Sequence, residues 1–147
     1  MFNKTEKRLS TIRIKSNIKP ARKEWITMDD IKEMDSLFER GKIEYQNGNF
    51  FDAHEIWEDL WSDYYFPDRK FVQGLIQLSV SFVHLKNGNM IGAKNLLKKS
   101  QGKFMEYEGV HRSIDLNTLK KNLIKIEKEY ALIDSTENFN WSLVPKL

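Results

Sequence analysis

Residues 71–85 read FVQGLIQLSVSFVHL, and this stretch decides the fold. Its apolar residues lie nearly all the way round a helical projection, as expected of a helix enclosed by others. The reading therefore places a central helix over about Asp68–Lys86. On its N-terminal side, about Phe50–Tyr65 presents Phe50, Ala53, Ile56, Trp57, Leu60, Trp61 and Tyr64, with Pro67 as terminator. Before that, Thr27 caps a helix to about Gln46 whose first turn carries Asp29 and Asp30, and Ile31, Met34, Phe38 and Tyr45 form its apolar stripe. Beyond the central helix, about Met90–Tyr107 turns Ala93, Leu96, Leu97 and Phe104 inward. After a loop over 108–114, Asp115 caps a fifth helix with a seam of Leu116, Leu119, Leu123, Ile126, Tyr130 and Ile133.

An internal repeat supports this layout. Residues 47–53 (NGNFFDA) and 87–93 (NGNMIGA) share NGNxxxA at an offset of 40 residues. Asn and Gly tolerate the left-handed conformation that closes a helix, and the Ala lets the next helix approach closely. Two helical hairpins plus a C-terminal helix make an all-α, five-helix bundle. Two hairpins fall short of the three or so repeats that a tetratricopeptide-like solenoid needs, so that interaction module stands as an alternative.

The chain divides into a basic arm (1–26), a helical bundle domain (27–134) and an aperiodic tail (135–147) carrying Phe139 and Trp141, read as an extended segment that docks on the body. With 147 residues, 40% hydrophobic and 31% charged, one domain with a real core is expected. The absence of cysteine excludes disulfides, thiolate metal sites and cysteine nucleophiles. Residues 1–25 hold eight basic side chains against Glu6 and Glu24, net +6; the other 122 residues hold 16 basic and 19 acidic, net −3. The arm lacks aromatic interleaving, so it reads as a solvated tail and nucleic acid as a minor alternative. No membrane span or secretory signal is expected. The reading is a soluble cytoplasmic protein, with an organellar stroma or matrix as the alternative, and a homo-oligomer is compatible with it.

The candidate chemistry sits on the second and third helices. His54, Glu58 and Trp61 recur at four and three residues, with Glu55 beside them, and Gln73, Gln77 and His84 form a polar stripe on the apolar third helix. Buried polar groups need partners. The expectation is one patch of His54, Glu58, Gln73, Gln77 and His84 in an aromatic setting of Trp57, Trp61 and Phe82.

These residues resemble a known family. The segment 54–61 (HEIWEDLW) fits HExWExxW, 73–77 is QGLIQ, and His84 with Gly88-Asn89, Gly92-Ala93 and Leu96 fits HxxxGNxxGAxxL. Together they are similar to the small all-helical prokaryotic family called domain of unknown function 309, over about residues 35–125. The resemblance implies a compact helical bundle and supplies no activity.

Three readings of the patch follow. It is structural, fixing helix register through hydrogen bonds. Or His54, Glu58 and His84 hold a divalent metal, Zn or Fe(II), with Glu55 as the base of a hydrolase-like reaction. Or it takes a small polar ligand between Trp57 and Trp61, with His54 or Glu58 as acid–base group. A structural or binding role, toward a small ligand or a protein, is favoured over catalysis. Replacing Gln77 by Leu is expected to strand its partners, and His111 is expected to be solvent-exposed.

Overall fold

A computed structural model describes residues 26–147, and the basic stretch 1–25 lies outside the described residues. Five helices follow in order: α1 (Met28–Gln46), α2 (Phe50–Asp63), α3 (Arg69–Lys86), α4 (Met90–Phe104) and α5 (Leu116–Leu132). The first four form two hairpins, α1–α2 and α3–α4, joined through the α2–α3 face. The protein is all-α, as the sequence indicates. Two additions were not foreseen. A two-residue antiparallel ladder pairs Val110–His111 with Ile114–Asp115, and two single-turn 3₁₀ helices occupy Thr136–Asn138 and Trp141–Leu143.

Both NGN turns close their helices by one mechanism. Gly48 and Gly88 adopt φ of +80° and +78°. At the first, the Gly48 and Asn49 amides donate to the Tyr45 and Glu44 carbonyls; at the second, Gly88 and Asn89 donate to Leu85 and His84. This paired 5→2 and 6→1 arrangement satisfies carbonyls left over at a helix end. The start signals act as read: Thr27 and Asp30 form a reciprocal capping box, and Asp115 accepts from the Asn117 and Thr118 amides. α2 stops at Asp63 rather than Tyr65, because residues before Pro67 are driven toward extended backbone.

α3 is the enclosed helix, burying Phe71, Val72, Leu75, Ile76, Leu78, Phe82 and Leu85. Ser81 ties it to two neighbours. Its hydroxyl donates to the Ala93 carbonyl of α4 at 2.6 Å, so the 3.0 Å contact with the Tyr130 hydroxyl of α5 has the tyrosine as donor. Burial pushes the Tyr130 phenol up to about 12.

The α1 stripe differs from the sequence reading. Ile31 is exposed, and the inward face is Leu37, Phe38, Gly41 and Tyr45. Gly41 is the reason. Trp57 of α2 is completely buried against it, and its Nε1–H donates to the Phe38 carbonyl at 3.1 Å. A Cβ at position 41 would lie 2.3 Å from Trp57 Nε1.

Gly41→Ala is therefore expected to cost about 1–3 kcal/mol, the range for overpacking a core. In a Trp57→Phe background the clash is relieved, and the same change should be nearly neutral, helped by alanine's helix propensity of about 1 kcal/mol over glycine. Urea denaturation of the four proteins checks this. Equal costs in both backgrounds would show that the indole does not set the helix spacing.

Candidate functional site

The hydrogen-bonded histidines singled out in the sequence take their partners within their own helix or the turn that follows it. His54 and Glu58 pair with each other on α2: His54 Nδ1–H donates to the Phe51 carbonyl at 2.8 Å, and Nε2 lies 3.3 Å from Glu58 Oε2. Glu55, half-buried, and Glu58 are both engaged. His84 turns instead to α4. Its ring packs on Gly92, and Asn89 Nδ2 donates to its Nδ1 at 3.4 Å. Gln73 and Gln77 lie half-buried on the same helix as His84, and Gln77 Oε1 is buried without a hydrogen-bond partner.

Among the described residues, no hydrogen bond or ion pair joins the α2 pair to the α3 polar stripe. Nor is any group of three or more His, Asp or Glu side chains there arranged to hold a metal ion, so the proposed ligands His54, Glu58 and His84 do not assemble. The periodicity placed each residue on a stripe correctly but could not say which neighbour that stripe would face. Trp57 is core. Trp61 stacks under the Arg69 guanidinium at 4.1 Å and accepts from it through its carbonyl at 2.7 Å.

A polar cluster unforeseen in the sequence ties the α2–α3 loop to the small ladder. Asp68 accepts from His111 Nε2 at 2.8 Å and from Arg112 Nη2 at 2.9 Å, with Arg112 Nε completing a bidentate pair. His111 is thus not a free loop histidine; its ring also packs on Phe71 and Tyr107, at 4.6 and 4.9 Å. Arg112 sits over Phe38 and takes a positive φ of 48° at the ladder turn. Burial pushes the Asp68 carboxyl up, but hydrogen bonds from Arg112 and His111, with their charges, outweigh it and hold it below the usual range.

The cavity lies elsewhere. A cleft of about 810 Å³ opens beside the first NGN turn, lined by Tyr45, Gln46, Gly48, Phe50, Lys86 and the tail residues Trp141, Ser142, Val144, Pro145 and Lys146. The tail docks as expected, through buried Phe139 against Tyr130 and Phe82. It is latched where the Tyr45 hydroxyl donates to the Pro145 carbonyl at 2.8 Å. Burial raises the Tyr45 phenol well above its ordinary value, so the donor proton is retained. Phe50 and Trp141 lie nearly parallel, 17° apart with centroids at 6.1 Å. The Lys86 ammonium donates to the Gly48 carbonyl at 2.9 Å and sits 5.1 and 5.6 Å from the Phe50 and Trp141 rings. A smaller groove of about 350 Å³ on the other side of the turn shares Gly48, Phe50 and Lys86 and includes Asp52.

Residues 38–96 match the family model described as Domain of unknown function (DUF309). No curated protein and no solved structure matches the chain. The matched segment supplies Tyr45, Gln46, Gly48, Phe50 and Lys86 to the cleft, whereas Trp141, Ser142, Val144, Pro145 and Lys146 come from outside it. No helix among the described residues is long and apolar enough to cross a membrane.

Two stability outcomes follow. Because Asp68 has a depressed folded-state pKa, its contribution is present above the unfolded carboxylate value of about 3.9 and is lost as pH falls through the folded one. Asp68→Asn should cost about 1–3 kcal/mol at pH 7 and flatten the acid limb of a pH–melting curve. An unchanged acid limb would refute the assignment. Gln77→Leu, by contrast, removes an acceptor that already lacks a partner. It is expected to leave the melting temperature unchanged or raised, and a clear loss would show that the amide has a role that its carbonyl oxygen does not reveal.

Proposed function

We propose that this protein is a small-ligand-binding helical bundle and that the cleft between the first NGN turn and the C-terminal tail is its binding site. One observation carries the reading. The cleft has the volume of a drug-sized ligand site and is walled by Tyr45, Phe50, Trp141, Val144 and Pro145, with a few polar groups at its margin. Its described lining holds no carboxylate and no imidazole, which favours binding over acid–base chemistry. The His54–Glu58 and His84–Asn89 pairs serve the bundle, each holding a side chain against its own helix or the next.

Trp141 is the cleft residue to test, being 38% exposed while the rest of its ring packs on Phe50, Phe82 and Phe139. Aromatic fragments titrated into the full chain should shift backbone amides of Gly48, Lys86 and 141–146 in two-dimensional NMR. Trp141→Ala should weaken the responding fragments by tenfold or more, in a protein whose amide spectrum outside the tail and the first NGN turn stays that of the folded bundle. Shifts centred on His54 and Glu58, or responses indifferent to Trp141→Ala, would remove the cleft from consideration.

A further inference from the structure

The cleft's cations indicate what kind of molecule it takes. Lys86 closes α3 one residue before the second NGN turn, and its ammonium reaches across to the first turn, to the Gly48 carbonyl. An ammonium carries three donors. One is engaged at Gly48, and the group otherwise faces the rings of Phe50 and Trp141. Lys146 adds a second positive charge to the same wall. Two basic side chains of the bundle have acidic partners, Lys70 with Glu106 and Arg112 with Asp68. Among the described residues neither Lys86 nor Lys146 is ion-paired, and the neighbouring carboxylate, Asp52, lines the smaller groove on the far side of the turn. Lys86 and Lys146 are both exposed, so the cleft presents two water-facing cations with no carboxylate among its lining residues.

We infer that the ligand is an aromatic carboxylate, its ring against Trp141 and Phe50 and its carboxylate on the Lys86 ammonium, with Lys146 adding to the positive field. Three features select this class. Trp141, 38% exposed, offers an aromatic surface suited to a planar body, with the buried Phe50 ring stacked against it. The cations are lysines, compact point charges, and no arginine fork of the kind that grips phosphate bidentately lines the wall. Of the rest of the wall, Tyr45, Val144 and Pro145 are apolar or have the polar atom already bonded, the Tyr45 hydroxyl being committed to the Pro145 carbonyl, and Gln46 and Ser142 add two polar side chains. The ligand's remainder should accordingly carry few polar groups.

This inference rests on the cleft being the binding site, and the experiment separates the two. The full chain is titrated with 2-naphthoate and with 2-naphthamide, which match in shape and differ in charge, following the Trp141 indole N–H and the Gly48 amide by NMR. Both signals should move with naphthoate, at a Kd at least tenfold below that of naphthamide, and the gap should narrow at high ionic strength. Lys86→Gln should abolish most of the difference and Lys146→Gln part of it, while Lys94→Gln, an exposed lysine of α4, should change nothing. Equal affinity for both probes, or a gap that survives Lys86→Gln, overturns the carboxylate assignment and leaves the cleft standing. If neither probe moves either signal, the cleft itself falls, and this inference with it.

Discussion

The indole of Trp57 seated on Gly41 is the contact on which the rest of the molecule depends. It is the largest fully buried side chain, and only a residue without a Cβ lets α1 and α2 close around it. Its one polar atom is satisfied by the Phe38 carbonyl, so burying the ring leaves no orphan donor. Tyr45, one turn beyond Gly41, packs on the same indole, and from there the aromatic contacts run to Phe50 and Phe82. Tyr45 also latches the tail. The geometry that packs the first hairpin thereby sets the inner wall of the cleft.

The cleft is built from three parts of the chain that are distant in sequence: the first turn, the end of α3 and the tail. Its two halves differ in origin. The segment matched by the family model brings the turn and Lys86, while Trp141 and Lys146 come from outside the matched residues. A bundle with another C-terminal segment would keep the Lys86–Gly48 contact and present a different opposite wall.

The two most polar features of the bundle act on its architecture. Asp68 draws His111 and Arg112 onto the start of α3, which pins the ladder turn despite its positive-φ residues Arg112 and Ser113. The α3 stripe of Gln73, Gln77 and His84 runs beside α4 without the α2 partners its position suggested, and Gln77 Oε1 remains unsatisfied.

Fold class, the five helices and their turns were legible from the sequence, because these are local matters. Apolar periodicity, Thr27 and Asp115 as caps, and Gly48 and Gly88 as left-handed closures act within a few residues of themselves. The all-round apolar character of residues 71–85 likewise required a central helix. What a stripe faces is not local. A helix that is buried on every side has no preferred neighbour for its polar residues, so only packing decided that His84 meets Gly92 and not His54. His111 and Asp68 are 43 residues apart, and their pairing has no periodic trace. The cleft was invisible for the same reason: Trp141 carries no helical period, and its position against Phe50 and Lys86 exists only once Tyr45 has fastened the tail to the bundle.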